Sequence, residues 1–280
     1  MWKNCTVTIP SSLSAKGARL REILFSFDSV AVAFSGGVDS SLLLATAADA
    51  LGRERVAAFT ALSELMPLKE RGRSAEIARV LRVPQVLVGL SVLPNPAVSS
   101  NPPDRCYHCK RAVFSELLSA ARAKGFSALV HGANTDDRGD YRPGQKAAEE
   151  LGVRAPLLEA GLGKEEIRAL ARSRGLPNWN EPSMACLASR IPYGTPLTAE
   201  SLERIDAAEE FLRSRFDLRQ VRVRDHMPVA RIETEEASMA LVLDPLNRAE
   251  IDRKLKSMGW KYVTIDLRGF RSGSMNETLA

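Results

Sequence analysis

Short apolar runs alternate with amphipathic segments through the first part of the chain. The apolar runs predict four strands, at Val30–Phe34, Arg55–Thr60, Val83–Leu90 and Phe126–Ala133. Apolar residues at helical spacing predict helices over 11–25, 41–52, 69–81 and 106–124. Strands made of continuous apolar residues are typical of sheets that crossover helices cover on both faces. Residues 1–175 therefore predict an α/β domain with an open, mostly parallel sheet, whose ligands bind at the carboxyl ends of the strands.

The pattern changes after Gly175. Residues 176–198 are irregular and rich in proline, and we interpret them as a linker that carries Cys186. The later pattern predicts a helix over 201–216, strands in VRVRDH, VARIETE and YVTIDLRGF, and a helix over 246–258. Residues 199–280 therefore predict a smaller α+β domain for substrate binding or oligomerisation. The last ten residues, RSGSMNETLA, are expected to be too polar to pack.

Composition places the chain among ordinary globular proteins. It has 280 residues, of which 45% are hydrophobic and 26% are charged, and this length suggests about two domains. The net charge of +5 suits an anionic substrate as well as nucleic acid. No run approaches the ~20 apolar residues of a membrane helix, and the N-terminus does not resemble a signal peptide. We expect a cytoplasmic protein whose four cysteines bind metal or react, since thiols stay reduced there.

A glycine-rich turn, SGGVDSS at Ser35–Ser41, lies between a predicted strand and a predicted helix. Gly36 and Gly37 permit a tight turn and a close approach of the backbone to a ligand. Backbone N–H groups at the start of the helix would face a phosphate, and the three serines of the turn add hydroxyl donors. Asp39 would repel a bare phosphate, so its presence indicates a cation such as Mg²⁺. The alternative interpretation is a Gly-Gly turn that Ser and Asp cap.

The cysteines allow four interpretations. Cys106 and Cys109 form a C-x-x-C at the start of a predicted helix, Cys186 lies in the predicted linker, and Cys5 is expected to be incidental. They suit a zinc site with His108 as fourth ligand, a thioredoxin-like redox pair or inert buried thiols. The fourth possibility is either a three-cysteine [4Fe–4S] cluster or direct sulfur chemistry by Cys186. A cubane cluster takes four thiolates, so three would leave one iron open to bind sulfide or substrate.

The SGGVDSS turn resembles the signature of the PP-loop ATP pyrophosphatases. Those enzymes cleave ATP between the α and β phosphates and adenylate a carbonyl or carboxyl oxygen. A Walker sequence, GxxxxGK[ST], does not occur in the chain. The resemblance implies an adenine nucleotide alpha hydrolase-like fold that binds Mg²⁺ and ATP. The nucleotide-binding residues that it implies are Ala33, Ser35, Gly36, Gly37, Val38, Asp39, Ser40, Thr60 and Gly132.

A wider resemblance covers about residues 15–270. The segments NPPDRCYHCK, HGANTDDRGDYRPG, RAPLLEAGLGKEEIRALARSRGLPNWNEPSMACLASRIPYG and VRVRDH together resemble the LarE-type sulfur transferases. Those enzymes convert pyridinium-3,5-biscarboxylic acid mononucleotide to the bisthiocarboxylic acid, which becomes the nickel-pincer cofactor of lactate racemase. The resemblance implies that ATP adenylates a substrate carboxylate and that sulfur then attacks the acyl-adenylate. It also implies a homo-oligomer.

The family contains two branches that differ in the source of the sulfur. In the single-cysteine branch, the residue at the position of Cys186 gives up its own sulfur and is left as dehydroalanine. In the three-cysteine branch, residues at the positions of Cys106, Cys109 and Cys186 hold a [4Fe–4S] cluster whose open iron carries a sulfide. This chain has all three cysteines, so we favour the cluster route. Cys186 is essential in both.

An anionic mononucleotide needs cationic groups. Arg222 and Arg224 alternate on a predicted strand and so share a face, where two guanidinium groups suit phosphate. The alternative is a solvated strand face, although the resemblance places a phosphate-binding pair of arginines there. We interpret the polar loop Asp136–Gly144 as an active-site loop and place His131 at a strand end. Ser189 and Arg190 follow Cys186 closely and are candidates to orient the same ligand. Tyr107 either stacks on a pyridinium ring or packs in the core. Glu210 matches a position of metal or substrate contact in the family, and it also fits a plain helix surface.

Three other functions compete with sulfur transfer to this substrate. A tRNA thiolase of the same superfamily would need a basic RNA-binding surface and usually brings extra zinc-binding cysteine pairs, which the charge of +5 and the four cysteines argue against. Steeply salt-dependent RNA binding would revive that hypothesis. An amidating PP-loop ligase would use ammonia and would not need Cys186. A metal-binding module would bind iron or zinc without turning over ATP. We therefore expect neither nucleic acid nor a membrane as a partner.

Overall fold

The computed structural model describes residues 10–139, 143–182, 185–271 and 273–279. The helices are α1 Ser11–Phe25, α2 Val38–Leu51, α3 Leu68–Leu81, α4 Pro96–Ser99, α5 Arg105–Ala123, α6 Pro143–Glu150, α7 Pro156–Glu159, α8 Lys164–Ser173, α9 Ala199–Phe216, α10 Glu236–Leu243 and α11 Pro245–Ser257. The strands are β1 Val30–Ala33, β2 Val56–Leu62, β3 Gln85–Gly89, β4 Ala128–His131, β5 Val221–His226, β6 Val229–Thr234 and β7 Tyr262–Ile265. Cys5 lies outside the described residues.

The chain divides into two compact units, each made of several segments. The first unit comprises Met1–Ser63, Glu70–Val92 and Asp104–Met184, and the second comprises Glu64–Lys69, Leu93–Pro103 and Ala185–Ala280. The sequence pattern predicts boundaries at 175 and 198. Two short stretches before residue 175, Glu64–Lys69 and Leu93–Pro103, nevertheless join the second unit. Backbone hydrogen bonds hold them there, for example from Leu197 N to Ser99 O at 2.7 Å. Local periodicity does not report such distant pairings.

The first unit contains a four-stranded sheet in the order β3-β2-β1-β4, and every pair of neighbours is parallel. Ala33, the last residue of β1, pairs with Phe59 of β2 and with His131, the last residue of β4. The predicted open parallel sheet is therefore confirmed. Because the strands run in one direction, their carboxyl ends meet at one edge, which is where ligands bind in such sheets.

Apolar side chains cover both faces of this sheet. Val30 and Val32 of β1 belong to one buried cluster, and Ala31 between them belongs to another on the opposite face. Helix α2 contributes Leu42, Leu43 and Leu44, all fully buried, to the first cluster. A helix that is apolar on all sides is one that lies in a core. This burial fixes the position of α2, and with it the turn that precedes the helix.

The second unit contains a mixed sheet in the order β5-β6-β7. Strands β5 and β6 form an antiparallel pair, and β7 runs parallel to β6. The predicted α+β character is confirmed, but the expectation that the polar C-terminal tail does not pack is wrong. Ser274 and Met275 are buried, because the Ser274 hydroxyl hydrogen-bonds to the Glu233 carboxylate and accepts from Arg224. Among the described residues, every helix is too short or too polar to cross a membrane.

Asn101 is expected to be a main support of the second unit. It has a left-handed backbone (φ 57°), and its buried amide donates to the carbonyls of Ile191, Pro192 and Thr195 at 3.3, 2.8 and 3.0 Å. Asn101→Ala removes the donor to the carbonyls of Ile191 and Thr195, leaves Pro192 O with only its bond from Thr195 N, and places alanine at a disfavoured φ. We expect the free energy of unfolding in urea to fall by about 2–4 kcal/mol.

The matched control for this prediction is Ser100→Ala at the exposed neighbouring position, whose hydroxyl bonds only Pro96 O at 2.7 Å among the contacts described for it. This control should change the free energy of unfolding by less than about 0.5 kcal/mol. Equal effects of the two substitutions would contradict the role of Asn101.

Candidate active site

The glycine-rich turn lies at the carboxyl edge of the parallel sheet, between β1 and α2. Gly36 has φ 81°, and a Cβ there would lie 2.9 Å from Ser74 Cα, so both conformation and space exclude other residues. Gly37 caps α2 and has no side chain to satisfy the first N–H groups of the helix. Those N–H groups have no intrahelical acceptors. The turn therefore presents an open helix N-terminus, which suits an anion.

The serines of the turn face in different directions. Ser35 Oγ lies 3.4 Å from Ser40 Oγ and accepts from Gly37 N at 3.3 Å. These long contacts leave the Ser35 hydroxyl available to a ligand. Ser41 is fully buried, and its Oγ accepts from Asn178 Nδ2 at 2.9 Å. Ser41 thus supports the turn from inside the protein, which differs from the expectation that its hydroxyl donates to phosphate.

The Asp39 carboxylate lies largely buried beside the turn. Burial, and after it the negative charge of Asp137, raises the pKa of Asp39 to about 6, although Lys164 and Arg168 act in the opposite direction. Asn134 Nδ2 donates to Asp39 Oδ2 at 3.4 Å, while Asp39 Oδ1 is buried with no hydrogen-bond partner in the described part of the chain. A buried carboxylate oxygen without a partner, beside a second carboxylate, fits Mg²⁺, which prefers oxygen ligands.

The loop after β4 ties this carboxylate pair to helix α8. Asp136 Oδ2 accepts from Lys164 N at 2.6 Å, and a Cβ at Gly163 would lie 3.2 Å from Thr135 Oγ1. The start of α8 therefore meets the loop, which brings Lys164 and Arg168 to the side of Asp39. The sequence analysis predicts this loop, 136–144, as part of the site but does not identify the two basic residues. Residues 140–142 of the loop lie outside the described structure.

Three further predicted nucleotide-binding residues lie at the same edge. The Thr60 hydroxyl is buried, donates to the carbonyl that follows β1 at 2.8 Å and accepts from Gln85 Nε2 at 2.8 Å. A Cβ at Gly132 would lie 3.0 Å from Ser40 N, so glycine lets the end of β4 approach the first turn of α2. Ala33 ends β1 between its two neighbouring strands. Contact of these residues with a nucleoside stays a prediction.

His131 ends β4, as expected. Burial, and after it the positive charge of Lys110, lowers the pKa of His131 to about 4. Its ring lies 5.3 Å from the ring of Phe114, centroid to centroid. The imidazole is therefore neutral near pH 7, where it does not attract an anion by charge and is a weak base.

The C-x-x-C lies in the first turns of α5, also in the first unit. Cys106 and Cys109 are half-buried reduced thiols, and Arg105 Nη2 lies 3.7 Å from Cys106 Sγ. His108 Nε2 lies 3.1 Å from Asp104 Oδ2, so its ring pairs with this acid. Within the described ranges, no three His, Cys, Asp or Glu side chains gather closely enough to hold a metal ion. Helix α5 therefore carries two of the three cysteines of the predicted cluster.

Tyr107 lies between these cysteines in sequence but is hydrogen-bonded to other helix residues. Its hydroxyl donates to Glu150 Oε2 at 2.6 Å and accepts from Arg111 Nη1 at 3.2 Å. The Lys146 ammonium lies 6.0 Å from the centre of its ring. A ring that already attracts one cation suits the predicted stacking on a pyridinium, which stays a prediction.

Cys186 is exposed at the start of the second unit, just before the 3₁₀ helix Leu187–Arg190. Ser189 Oγ donates to the Cys186 carbonyl at 2.8 Å. Arg190 Nη1 donates to the carbonyls of Ala185 and Cys186 at 2.6 and 2.9 Å, and the Arg190 side chain is fully buried. Arg190 therefore positions the backbone around the exposed thiol. The sequence analysis predicts it as a substrate contact instead.

Glu209 on α9 holds Arg190 in this position. Its fully buried carboxylate accepts from Arg190 Nε and Nη2 at 2.8 and 2.9 Å and from Val223 N at 3.1 Å, and it pairs with Arg213. Burial alone would raise the pKa of Glu209, but the guanidinium groups of Arg190, Arg222 and Arg213 keep it below its usual range. Sequence analysis missed Glu209, since charged residues in amphipathic helices are usually exposed.

Arg222 and Arg224 are both buried on β5, so the alternative of a solvated strand face is wrong. Arg224 donates to Glu233 Oε2 and to Ser189 O, both at 2.6 Å, while the Arg222 guanidinium lies 5.3 Å from the centre of the Phe270 ring. Burial, and after it the charge of Arg190, lowers the pKa of Arg222 to about 10. The buried arginines of this region are Arg190, Arg213, Arg222 and Arg224, and the buried glutamates are Glu209 and Glu233.

The same region also buries Asp206 and Asp225, so its buried arginines and buried acids are equal in number. Burial and the neighbouring arginines disfavour the charged form of Arg222, which a phosphate nearby would stabilise. Glu210, the neighbour of Glu209, is about half exposed and lies 3.8 Å from Arg213 Nη1. Its contact with substrate or metal stays a prediction.

The parallel sheet with a Gly-Gly turn between β1 and α2 places the first unit in the PP-loop class of α/β domains. No family model matches the chain. The chain is 42% identical, over 96% of both chains, to the pyridinium-3,5-bisthiocarboxylic acid mononucleotide synthase of Lactiplantibacillus plantarum. It is 38% identical to an uncharacterized Synechocystis protein, over 95% of this chain and 99% of the other, and 29% identical to an uncharacterized Methanocaldococcus jannaschii protein, over 87% and 91%. The chain therefore belongs to the LarE-type sulfur transferases, a family of enzymes.

The raised pKa of Asp39 gives the first prediction for this site. The folded state holds the proton more tightly than the unfolded state, whose carboxyl has a pKa near 3.8. The neutral carboxyl therefore stabilises the fold below about pH 4, and this stabilisation is lost as the pH rises through about 6. Asp39→Asn mimics the neutral form at every pH. We expect it to raise the free energy of unfolding at pH 8 by about 1–3 kcal/mol and to leave it unchanged near pH 3, below both pKa values.

Urea unfolding without magnesium or nucleotide measures this effect. The exposed residue Asp28 provides the control, because Asp28→Asn should change stability little at either pH. A stabilisation by Asp39→Asn that is equal at both pH values would show that the charge of Asp39 is not its cause.

The buried Glu209 gives a second prediction, with its neighbour as the control. Glu209→Gln keeps the shape of the side chain but leaves Arg190, Arg213 and Arg222 without this countercharge. Removal of one partner from a buried ion pair costs about 3–5 kcal/mol, and we expect that loss in urea unfolding at pH 7. Glu210→Gln, on the exposed side of the same helix turn, should cost less than about 1 kcal/mol. Similar losses for the two variants would refute the central role of Glu209.

Proposed function

We propose that the chain uses Mg²⁺ and ATP to adenylate a carboxylate of pyridinium-3,5-biscarboxylic acid mononucleotide and then replaces the activated oxygen by sulfur. The thiocarboxylate product would serve nickel-pincer cofactor synthesis. The observation that carries the proposal is the partnerless Asp39 oxygen beside the open N-terminus of α2, a pair that suits a metal-bound phosphate. The name of the Lactiplantibacillus plantarum relative supplies the product class.

ATP would bind with its phosphates at the first N–H groups of α2 and at the hydroxyls of Ser35 and Ser40. Asp39 and Asp137 would hold Mg²⁺, which when bound offsets the negative charge of the phosphates. Lys164 and Arg168 lie close enough to Asp39 for their charges to lower its pKa. Their positive charges would therefore suit the leaving pyrophosphate. A substrate carboxylate oxygen attacks the α phosphorus, the bond to the β phosphate oxygen breaks, and an acyl-adenylate forms with release of pyrophosphate.

Sulfur then reaches the activated acyl carbon by one of two routes. In the first, the Cys186 thiolate attacks that carbon and displaces AMP, so that a thioester forms. Removal of the Cys186 Cα proton and cleavage of its Cβ–Sγ bond leaves dehydroalanine in the chain and the thiocarboxylate on the substrate. In the second, Cys106, Cys109 and Cys186 would hold a [4Fe–4S] cluster, which would supply a sulfide as the nucleophile in place of the Cys186 thiol. We favour the second because the chain has all three thiols.

The mononucleotide would bind near Cys186 through its phosphate. The buried pair Arg222 and Arg224, with the lowered pKa of Arg222, supports a phosphate there, and Ser189 joins this group through its carbonyl bond to Arg224. Arg190 would act through the backbone of Cys186. Tyr107 and Glu210 remain candidates for the pyridinium ring and for a polar contact. We also propose a homo-oligomer in the cytoplasm, with magnesium and iron as its metals.

The test of this proposal follows pyrophosphate, product and protein mass in one experiment. The chain is purified without oxygen, analysed for iron and sulfide, and given Mg²⁺, ATP and the mononucleotide. We expect Cys186→Ala to release pyrophosphate in a single turnover but to form no thiocarboxylate, because activation does not need the thiol. Cys5→Ala is the matched thiol deletion and should keep full transfer.

The intact mass of the wild-type chain decides between the two routes. An unchanged mass with iron present supports the cluster, and the loss of one H₂S from the polypeptide supports the sacrifice of Cys186. Product formed from ammonia by Cys186→Ala would point instead to an amidating ligase and would overturn the proposal. Absence of pyrophosphate release from the wild-type chain would overturn it as well.

A further inference from the structure

Asn178 lies under the glycine-rich turn, although it comes from the segment that follows α8. Its side chain is buried, with 2% of the residue exposed. Its Nδ2 donates to Gly36 O at 2.8 Å and to Ser41 Oγ at 2.9 Å. The amide therefore spans the turn, with one bond to the residue before the helix cap and one to the first turn of α2.

The bond to Gly36 O decides which way one peptide faces. In a trans peptide the carbonyl and the N–H point in opposite directions. Asn178 draws the Gly36 carbonyl toward the protein interior, so the N–H of Gly37 points to the outer side of the turn. That N–H makes a long bond of 3.3 Å to Ser35 Oγ, a contact that a phosphate oxygen can readily replace.

Glycine on both sides makes this peptide easy to rotate. Rotation of this peptide changes ψ of Gly36 and φ of Gly37, which is −72° here, and glycine at both positions lacks the Cβ that would resist the change. A rotated peptide would turn the Gly36 carbonyl toward the ligand, where its oxygen would repel a phosphate. The sequence of the turn therefore does not by itself secure the orientation that an anion needs.

We propose that Asn178 is a positioning residue for ATP, which fixes the Gly36–Gly37 peptide so that the turn offers N–H groups to the phosphates. The proposal rests on the ATP-dependent function argued above. Asn178 does not touch the ligand in this arrangement, since the turn lies between them. Its loss should weaken binding of phosphates and leave binding of the nucleoside nearly unchanged.

The test compares ligands that differ in phosphate content. Equilibrium binding of MgATP, magnesium pyrophosphate and adenosine is measured for the wild-type chain, Asn178→Leu and Asn178→Asp. We expect Asn178→Leu to raise the Kd of MgATP and of pyrophosphate about tenfold, because the phosphates lose about one hydrogen bond when the peptide is no longer fixed. The Kd of adenosine should change less than twofold. Asn101→Ala serves as the matched control, because it also removes a buried asparagine but should leave all three affinities unchanged.

Asn178→Asp keeps the volume of the side chain, so it serves as the second variant in case Asn178→Leu does not fold. Its carboxylate repels the Gly36 carbonyl and accepts the Gly37 N–H, so at pH 8 it favours the rotated peptide and should weaken pyrophosphate at least as much. Equal losses for adenosine and pyrophosphate, or no loss for either, would overturn the role of Asn178. A wild-type chain that binds neither MgATP nor pyrophosphate would overturn the proposed function instead, so the two failures are distinct.

Discussion

The first turn of α2 must hold its backbone N–H groups where an anion can reach them, and close packing around the turn fixes its position. A Cβ at Gly36 would lie 2.9 Å from Ser74 Cα, closer than real side chains come, and a Cβ at Gly132 would lie 3.0 Å from Ser40 N, which is unusually tight. The leucines of α2 bury the helix in the core on both sides, so the turn is held by a rigid element. An N-terminus fixed in this way needs no rearrangement when an anion arrives, which is the condition for strong electrostatic binding.

Each unit contains a group whose charged form is destabilised, a carboxyl in the first and a guanidinium in the second. In the first, burial and after it the charge of Asp137 raise the pKa of Asp39, and a cation would relieve both effects. In the second, burial and after it the charge of Arg190 lower the pKa of Arg222. A destabilised charge of this kind lowers the free energy of unfolding of the ligand-free protein, and a bound ligand of opposite charge raises it again. Each group would therefore be stabilised by the ligand proposed for its unit, a metal-bound nucleotide for Asp39 and an anionic substrate for Arg222.

Local features of the sequence predicted much of this structure, and distant contacts account for most of what they missed. The four parallel strands and helices α1 and α2 follow from apolar patterns, because a strand buried on both faces admits few polar residues. The allocation of 64–69 and 93–103 to the second unit depends on hydrogen bonds to residues more than 90 positions away, such as that from Asn101 to Pro192. The sequence pattern did not predict helix α10. It also did not predict the burial of Ser274, which depends on a hydrogen bond to Glu233, a residue that is itself buried.

The site shows the same division between local and distant information. The SGGVDSS turn can be recognised from the sequence alone, since glycine and serine between a strand and a helix are typical of an anion-binding turn. The cysteines gained their roles from family resemblance, because spacing alone leaves four interpretations open. Lys164, Arg168, Glu209 and Asn178 were not identified, since each looks like an ordinary surface or loop residue until its partner is known. Glu209 and Asn178 are marked in the structure by a buried polar group with a specific partner, and Lys164 and Arg168 by the positive charge they place near Asp39. No single-residue pattern contains either property.

The pKa of Asp39 near 6 also places a limit on how the site works. At the proposed site, Mg²⁺ and the proton would compete for a carboxyl whose pKa is about 6. The affinity for the metal would therefore fall as the pH drops below about 6. Above that pH the charged carboxylate would be a strong ligand, although burial disfavours its charge in the protein alone. The burial that disfavours the charge of Asp39 would then be offset by the proposed metal.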